Sequence, residues 1–312
     1  MLGLGRVARR DVIPSIGESR NGELRALGTR DPEAVHLEGL SGDVLVTDYE
    51  GILQRGDVDA VSVCLPNGMH HEWIMRALAA GKHVLCEKPI ASSVEELHDI
   101  QRMAAETGLR VMEGFMYRFH QQHQADFVRR ALREIGPIRY ATSRFSYLAE
   151  VHDSRANFSL GGGATADLGC YCLDQLCSQL GEVTEVDAVG DVRNQVVWTA
   201  HSRLRFDSGA VATCFWSFDA APQWNTVFVG TEGTVTFNQP FASSGRTSLV
   251  CRTGLEDVVH EFDDTPTIVH EVEHFGAAVL DAQRDLEVSL GSSMAWRRAA
   301  DIIDAQIHQS AE

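Results

Sequence analysis

A chain of 312 residues, 44% apolar and 23% charged, is long enough for two domains with cores of their own and has the composition of a soluble globular protein. Its formal net charge of -17 works against nucleic acid or an anionic membrane as partner, since both demand a basic surface. No stretch approaches the roughly 18 apolar residues of a membrane helix and no leader is expected before the first glycines, so the sequence reads as cytoplasmic. The cysteines (Cys64, Cys86, Cys170, Cys172, Cys177, Cys214 and Cys251) are odd in number and mostly lie inside apolar runs. Cys170 and Cys172 stand one residue apart rather than the two of a zinc knuckle, and no second pair answers them. They read as reduced packing residues, and no metal site is expected.

The first residues contain Gly3-x-Gly5-x-x-Ala8, the spacing of a dinucleotide turn in which glycines admit a pyrophosphate to a helix N-terminus. Gly3, Gly5, Arg6 and Val7 are therefore candidates for the cofactor. Such a turn follows a strand, and only Leu2 remains of one, so the first strand reads as truncated. Strands follow at Glu23 to Thr29, at Val44 to Val46 and at the nearly continuous apolar run Asp59 to Leu65, as a doubly covered parallel sheet requires. Helical segments near Glu72 to Ala80 and Val94 to Thr107 separate the later strands, and Arg110 to Glu113 closes the series. This alternation predicts a doubly wound α/β domain over residues 1–115. Where an acid would hold a ribose 2′-hydroxyl at the end of the second strand, the chain has Thr29 followed by Arg30, which favours a 2′-phosphate and places NADP ahead of NAD. Leu65, Pro66 and Asn67 end the next buried strand at the same sheet edge, with Asn67 oriented to a ribose or nicotinamide and His70 along the same crevice. The adjacent His70 and His71 do not share a helix face and are no metal pair.

The run Gly81 to Ile90 carries the strongest signal. An apolar strand (Val84, Leu85, Cys86) ends in Glu87, Lys88 and Pro89, and Ser92 with Glu95, or Ser93 with Glu96, then reads as a capping box that starts a helix. Ligands of open α/β sheets bind at such carboxyl ends. Lysine occurs only at positions 82 and 88, every other basic side chain being arginine. A compact, titratable ammonium is what arginine cannot supply, and the following proline fixes a peptide, possible in cis, that aims it.

Taken together, Gly3-x-Gly5-x-x-Ala8, Leu65-Pro66-Asn67, Ala80 to Pro89, Glu113 to Arg118 and Gly161 to Tyr171 resemble the glucose-fructose oxidoreductase and inositol dehydrogenase family, often written Gfo/Idh/MocA. The resemblance runs from the first residue to about Leu290. It implies a lysine at 88 lying beside the nicotinamide, and a helix after the glycine triplet that carries Asp167 and, four residues on, Tyr171. A tyrosine there resembles the dihydrodiol, xylose and glucose-fructose branch rather than the inositol branch. It also implies a C-terminal sheet used for contacts in a homodimer or homotetramer.

After Pro137 the texture changes. Arg139 to Tyr147 alternates, and Val196 to Phe206 and Ala210 to Phe218 flank an Asp207-Ser208-Gly209 turn. Gly230 to Gly233 makes another, so residues 116–312 read as an α+β domain with a large, mostly antiparallel sheet. Val272 to Leu280 and Ser293 to Ile307 read as closing amphipathic helices. The helix from Gly163 to Leu180 places Asp167, Tyr171 and Asp174 on one face. Hydride transfer leaves one proton for the protein to move. An unperturbed tyrosine titrates near 10, and a neighbouring ammonium favours its phenolate. Tyr171 is thus expected to exchange the proton and Lys88 to tune it across a shared cleft, with the reverse assignment open. Asp167 orients substrate hydroxyls or holds Lys88, and Glu87 contacts the nicotinamide ribose or braces the strand. Met116, Arg118, Tyr147, Arg155 and Asn157 complete the expected pocket wall, for a sugar, keto sugar or related polyol. Two rival readings use the same fold, a non-catalytic NADP-binding sensor and an NAD-dependent glycoside hydrolase.

Overall fold

The computed structural model describes residues 1–35, 44–123, 125–150, 154–254 and 256–311. The chain divides into two compact units, Met1–Phe115 with Ile268–Leu290, and Met116–Thr267 with Gly291–Glu312.

In the first unit, Met1 to Gly3 enter the sheet directly, and Leu2 bridges Gly28 on one side and Val63 on the other, both in parallel. Leu2 is fully buried, and its backbone bonds to Ser62 O and from Cys64 N, both at 2.8 Å. Residues 6–18 then form helix α1, whose middle is a π turn at Ala8–Val12. Strand β1 (Ala26–Gly28) pairs with β2 (Leu45–Thr47), which helix α2 (Tyr49–Leu53) follows. Strand β3 (Ala60–Val63) leads to α3 (His70–Ala79), β4 (His83–Glu87), α4 (Val94–Thr107) and β5 (Val111–Gly114). The parallel order is β2, β1, Leu2, β3, β4, β5. The expected doubly wound sheet is present, with a single bridging residue in the place of its first strand.

Gly3 shows why the opening glycine is required. Its φ of +96° lies in the region that other residues avoid, and a Cβ there would stand 2.4 Å from the Cys64 carbonyl oxygen. Lys82, one of the two lysines, is accounted for here too. It is buried, and its ammonium donates to the carbonyls of Arg55 at 2.6 Å and Val58 at 2.8 Å, closing the turn after α2.

The helix read from the sequence as part of the second domain, α7 (Thr267–Leu280), returns to the first unit instead. Glu271, Val272, Phe275 and Ala278 are buried at helical spacing. Ile268 packs on the cluster of Met1, Ala8, Val12 and Leu27. Glu273 holds Arg20 at 2.6 Å and accepts from Asn21 through its carbonyl. A division at residue 115 follows chain order, whereas an amphipathic helix goes where its apolar stripe finds a surface.

The second unit is built on an eight-stranded sheet ordered β13-β12-β11-β10-β6-β9-β8-β7. Its strands are β6 (Ile138–Leu148), β7 (Val183–Arg193), β8 (Val196–Phe206), β9 (Val211–Ser217), β10 (Asp219–Gly230), β11 (Gly233–Phe237), β12 (Thr247–Thr253) and β13 (Glu256–Phe262). All neighbours are antiparallel except β6 with β9. Helix α5 (Ala125–Glu134) precedes β6. Helix α6 spans residues 164–180, opening with a π turn at Thr165–Gly169 and continuing as Cys170–Leu180. Helix α8 (Leu290–Ala311) covers the edge strand β7, where Gln306 accepts from Ala188 N and donates to Val186 O. Alternation in β8 puts Val196, Trp198, Ala200, Ser202, Leu204 and Phe206 inward, as its sequence predicts. All seven cysteines are free and all but Cys64 are buried.

Gly3→Ala is expected to cost about 2 kcal/mol or more, combining left-handed strain with a backbone clash. Urea denaturation of the variant checks this, and an unchanged midpoint would count against the tight turn.

Candidate active site

In the first unit the candidate residues gather on the loops that leave the carboxyl ends of the strands. Gly5 and Arg6 are exposed at the start of α1, and a Cβ at Gly5 would meet nothing within 4 Å. Val7 packs on the apolar cluster below. Thr29 and Arg30 follow β1. The Thr29 hydroxyl accepts weakly from Asp31 N at 3.4 Å, and Arg30 is exposed without an ion pair among the described residues. This donor set fits a dinucleotide carrying a 2′-phosphate, because the turn is open, a helix N-terminus faces it and a guanidinium stands where an acid would repel a phosphate.

Two further loops, residues 65–70 and 87–93, are tied together by one side chain. His70 is fully buried, with Nδ1 2.8 Å from Pro89 O and Nε2 2.8 Å from Leu65 O. A neutral imidazole has one N–H and can donate to only one of these carbonyls; both contacts become full hydrogen bonds only in the imidazolium. Burial, the larger influence, lowers the His70 pKa, so the neutral ring with one true bond prevails. The expectation that His70 lines the crevice is therefore corrected. It clamps the loops from inside.

Lys88 and Pro89 are joined by a cis peptide. Beyond it, Ile90 N donates to Glu113 Oε1 at 2.9 Å, a carboxylate on β5 with no solvent exposure. Ser92 N donates to Glu96 Oε2, and the Ser93 hydroxyl accepts from Glu96 N, so Ser93 caps α4. Pro89 O, Ile90 N and Ser92 N are thereby engaged, and Lys88 precedes a loop held at three backbone groups. Glu113 belongs to the motif that suggested the family, but its role was missed. A lone charge inside the apolar run Val111-Met112-Glu113 was the signal.

Glu87, at the end of β4, is half-buried. Burial pushes its carboxyl up to about 7 from an ordinary 4.5, with the adjacent Lys88 ammonium pulling the other way. Glu271, on the buried stripe of α7, is pushed well above the ordinary range, by burial first and by the charge of Glu87 second. Its Oε1 has no hydrogen-bond partner. A carboxylate in that position carries a large desolvation cost, which favours the protonated form of Glu271.

In the second unit the residues sort into two groups. Around Asp167, the Tyr147 hydroxyl donates to Oδ2 at 2.8 Å, Arg155 Nε lies 3.7 Å from Oδ1, and Arg155 Nη1 is 3.4 Å from the Tyr147 oxygen. Burial, with Asp167 second, raises the Tyr147 pKa, which keeps this phenol protonated and donating. The glycine triplet explains how Arg155 arrives. Gly163 N bonds to Arg155 O at 2.7 Å, and a Cβ on Gly162 would stand 2.4 Å from that same oxygen. Tyr171 is 7% exposed, its hydroxyl 3.6 Å from Met116 Sδ, its ring against Phe145 at 5.7 Å and Phe241 at 5.4 Å.

Arg118 and Asn157 do not join these groups. Arg118 forms a two-pronged ion pair with Asp174, at 2.8 and 2.5 Å, and Tyr117 donates to the same carboxylate at 2.5 Å. Asp174 has no solvent exposure, so the polar face expected along α6 is an interior one, and residues 170–177 are buried all round. This pair belongs to the core, where removing one partner costs about 3–5 kcal/mol. Asn157 is exposed, and its side-chain oxygen caps a short turn by accepting from Ser159 N and the Ser159 hydroxyl.

The parallel sheet with its opening glycine turn, joined in one chain to a large mostly antiparallel sheet, defines a two-domain dinucleotide oxidoreductase fold. Residues 1–115 match the family model for the oxidoreductase family with NAD-binding Rossmann fold, and residues 128–236 match the GFO/IDH/MocA C-terminal domain. The chain belongs to the Gfo/Idh/MocA oxidoreductase family. It is 32% identical over 289 residues to D-xylose 1-dehydrogenase (NADP(+)) 2 of Haloferax volcanii, covering 89% of this chain and 88% of that one. It is 30% identical over 317 residues to dTDP-3,4-didehydro-2,6-dideoxy-alpha-D-glucose 3-reductase of Actinomadura kijaniata, covering 98% and 93%. A 3-ketoreductase from Actinomadura kijaniata, crystallised with NADP and TDP-benzene, superposes with a TM-score of 0.87 at 26% identity, over 97% of this chain and 95% of that one.

Because the folded pKa of Glu87 lies above its ordinary value, its contribution to stability is complete below about pH 4.5 and is lost as pH rises through about 7. Glu87→Gln is expected to match the wild type near pH 4 and to exceed it in stability at pH 8. Urea melts at both pH values measure this, and equal differences at the two would contradict the shift.

Proposed function

We propose that this chain is an NADP(H)-dependent oxidoreductase that moves a hydride between nicotinamide and a sugar, keto sugar or related polyol. The observation that carries the reading is the pinned loop after β4, which fixes Lys88 at the carboxyl edge of a parallel sheet whose opening turn suits a dinucleotide. The relatives named above, a dehydrogenase and a reductase of sugars, support turnover over a silent sensor or a hydrolase.

Gly3, Gly5, Arg6 and Val7 would hold the pyrophosphate, Thr29 and Arg30 the 2′-phosphate end, and Leu65, Pro66, Asn67 and Glu87 the nicotinamide ribose. When bound, the cofactor supplies the hydride acceptor or donor. The protein's own task is one proton on the substrate oxygen. Tyr171 exchanges it through its hydroxyl, and the Lys88 ammonium stabilises the oxygen that loses it. Asp167, oriented by Tyr147 and Arg155, accepts from a neighbouring substrate hydroxyl, and Met116 borders the tyrosine.

No helix among the described residues is long and apolar enough to cross a membrane. A cytoplasmic homodimer or homotetramer is the setting we infer. Phe215, Val227 and Val229, interspersed with Thr142, Arg144 and Thr213, alternate with buried neighbours and leave a partly exposed face of mixed polarity opposite α6, which suits a second copy.

A panel of aldoses and keto sugars, followed by NADPH absorbance, tests the reading. Turnover with NADP exceeding that with NAD is expected. Lys88→Ala is expected to lower kcat by roughly a hundredfold or more while leaving NADP affinity within a few-fold. An undiminished rate would remove Lys88 from the chemistry.

A further inference from the structure

The helix that carries Asp167 does not begin as an ordinary α-helix. Thr165–Gly169 is a π turn, and no side chain caps it. An extra residue in a helical turn rotates what it carries by about 100° relative to regular winding, and such turns persist only where their surroundings hold them.

Two features of the second unit hold this one. Thr165 is 1% exposed, and its hydroxyl uses both of its capacities, donating to Asp304 Oδ1 on α8 at 2.6 Å and accepting from Trp216 Nε1 on β9 at 3.2 Å. At the other end of the turn Gly169 lies on the same indole, where a Cβ would come within 2.7 Å of Trp216 Cε2. Trp216 has no solvent exposure. One tryptophan therefore meets both ends of the turn, with its N–H at the first residue and its ring at the last. The Asp304 carboxylate of α8 engages the hydroxyl of that first residue as well. Asp167 lies midway between these fixed points.

We propose that Thr165, Asp304 and Trp216 are positioning residues for substrate recognition: they hold the π turn so that Asp167 keeps its bonds to Tyr147 and Arg155 and presents a fixed oxygen to a sugar hydroxyl. The proposal rests on the reading of Asp167 as a sugar-binding carboxylate. Thr165 itself touches no substrate. Its hydroxyl acts through the winding of the turn, and Ser retains that hydroxyl while Val keeps the shape and loses it.

The test compares Thr165→Val, Thr165→Ser, Asp167→Asn and the Thr165→Val/Asp167→Asn double variant. Initial rates use NADP and the sugar of the panel that turns over fastest. Amide hydrogen exchange of the unliganded protein follows the peptide spanning residues 164–171, with residues 196–206 of β8 as internal reference. Thr165→Val is expected to raise KM for the sugar by about tenfold, with KM for NADP changed by less than about twofold. It should also speed exchange in 164–171 by about tenfold without changing the reference strand. Thr165→Ser should restore both, and the double variant should be no worse than Asp167→Asn alone. Exchange and sugar KM unchanged in Thr165→Val while Asp167→Asn is impaired, or Thr165→Ser as poor as Thr165→Val, would overturn the proposal. A wild-type sugar KM in Asp167→Asn would instead remove the reading of Asp167, and the exchange comparison would still decide whether Thr165 pins the turn.

Discussion

The imidazole of His70 is the constraint on which the cofactor side depends. It sits under two loops that are 24 residues apart at their contact points, Leu65 and Pro89, and touches a backbone carbonyl in each. The first loop has only the short turn Asn67–Met69 before α3, and the second has no regular structure before α4. Without an interior partner, each carbonyl would need water that the packed core does not admit. With it, one carbonyl accepts from the single ring N–H and the other lies against the second ring nitrogen, so the loop expected at the ribose and the loop bearing Lys88 share one buried side chain. Glu113 completes the fixation by accepting from Ile90 on the far side of Pro89. The backbone contacts at Pro89, Ile90 and Ser92 hold the loop that follows Lys88, as a group proposed to react requires.

The second unit solves the same problem with buried polar chains. Asp174 binds Tyr117 and Arg118 beneath the helix, and Gln175 accepts from Thr226, which meets Ser143 on the neighbouring strand. These contacts tie the middle of α6 to the turn at residues 116–119 and to strand β10. Arg118, expected at the substrate, is instead paired inside the core. What remains near the start of the helix is Asp167 with Tyr147 and Arg155, and Tyr171 among aromatic rings. Asp167 is thus held by Tyr147 and Arg155, and Tyr171 by the rings of Phe145 and Phe241.

Much of this was legible in the sequence. The Asp207-Ser208-Gly209 turn bounded β8 to the residue, and of the two capping spacings, Ser92 with Glu95 or Ser93 with Glu96, the second starts α4, because both signals are local. Arg30 at the end of β1, and Lys88 after β4, stand where the strand pattern put them. Other features depend on partners far along the chain. Nothing beside His70 hints at Pro89, and nothing beside Arg118 hints at Asp174, 56 residues on. The π turn escaped for a different reason. A regular helix was assumed from spacing, and only Trp216 and Asp304, brought in from β9 and α8, select the wider winding. The return of α7 to the first unit is likewise decided by which surface accepts its apolar stripe, with Glu271 carried into the interior as a consequence.

The account stands on Lys88 and Tyr171 serving one proton-transfer event, and a double-variant cycle tests this most directly. With the best sugar of the panel and saturating NADP, kcat is measured for Lys88→Ala, Tyr171→Phe and the combination. Groups that act as a unit lose their effect together, so the double variant should turn over about as fast as the slower single one. If the two losses multiply instead, the residues act independently, and the proposed division of labour between ammonium and phenol is wrong.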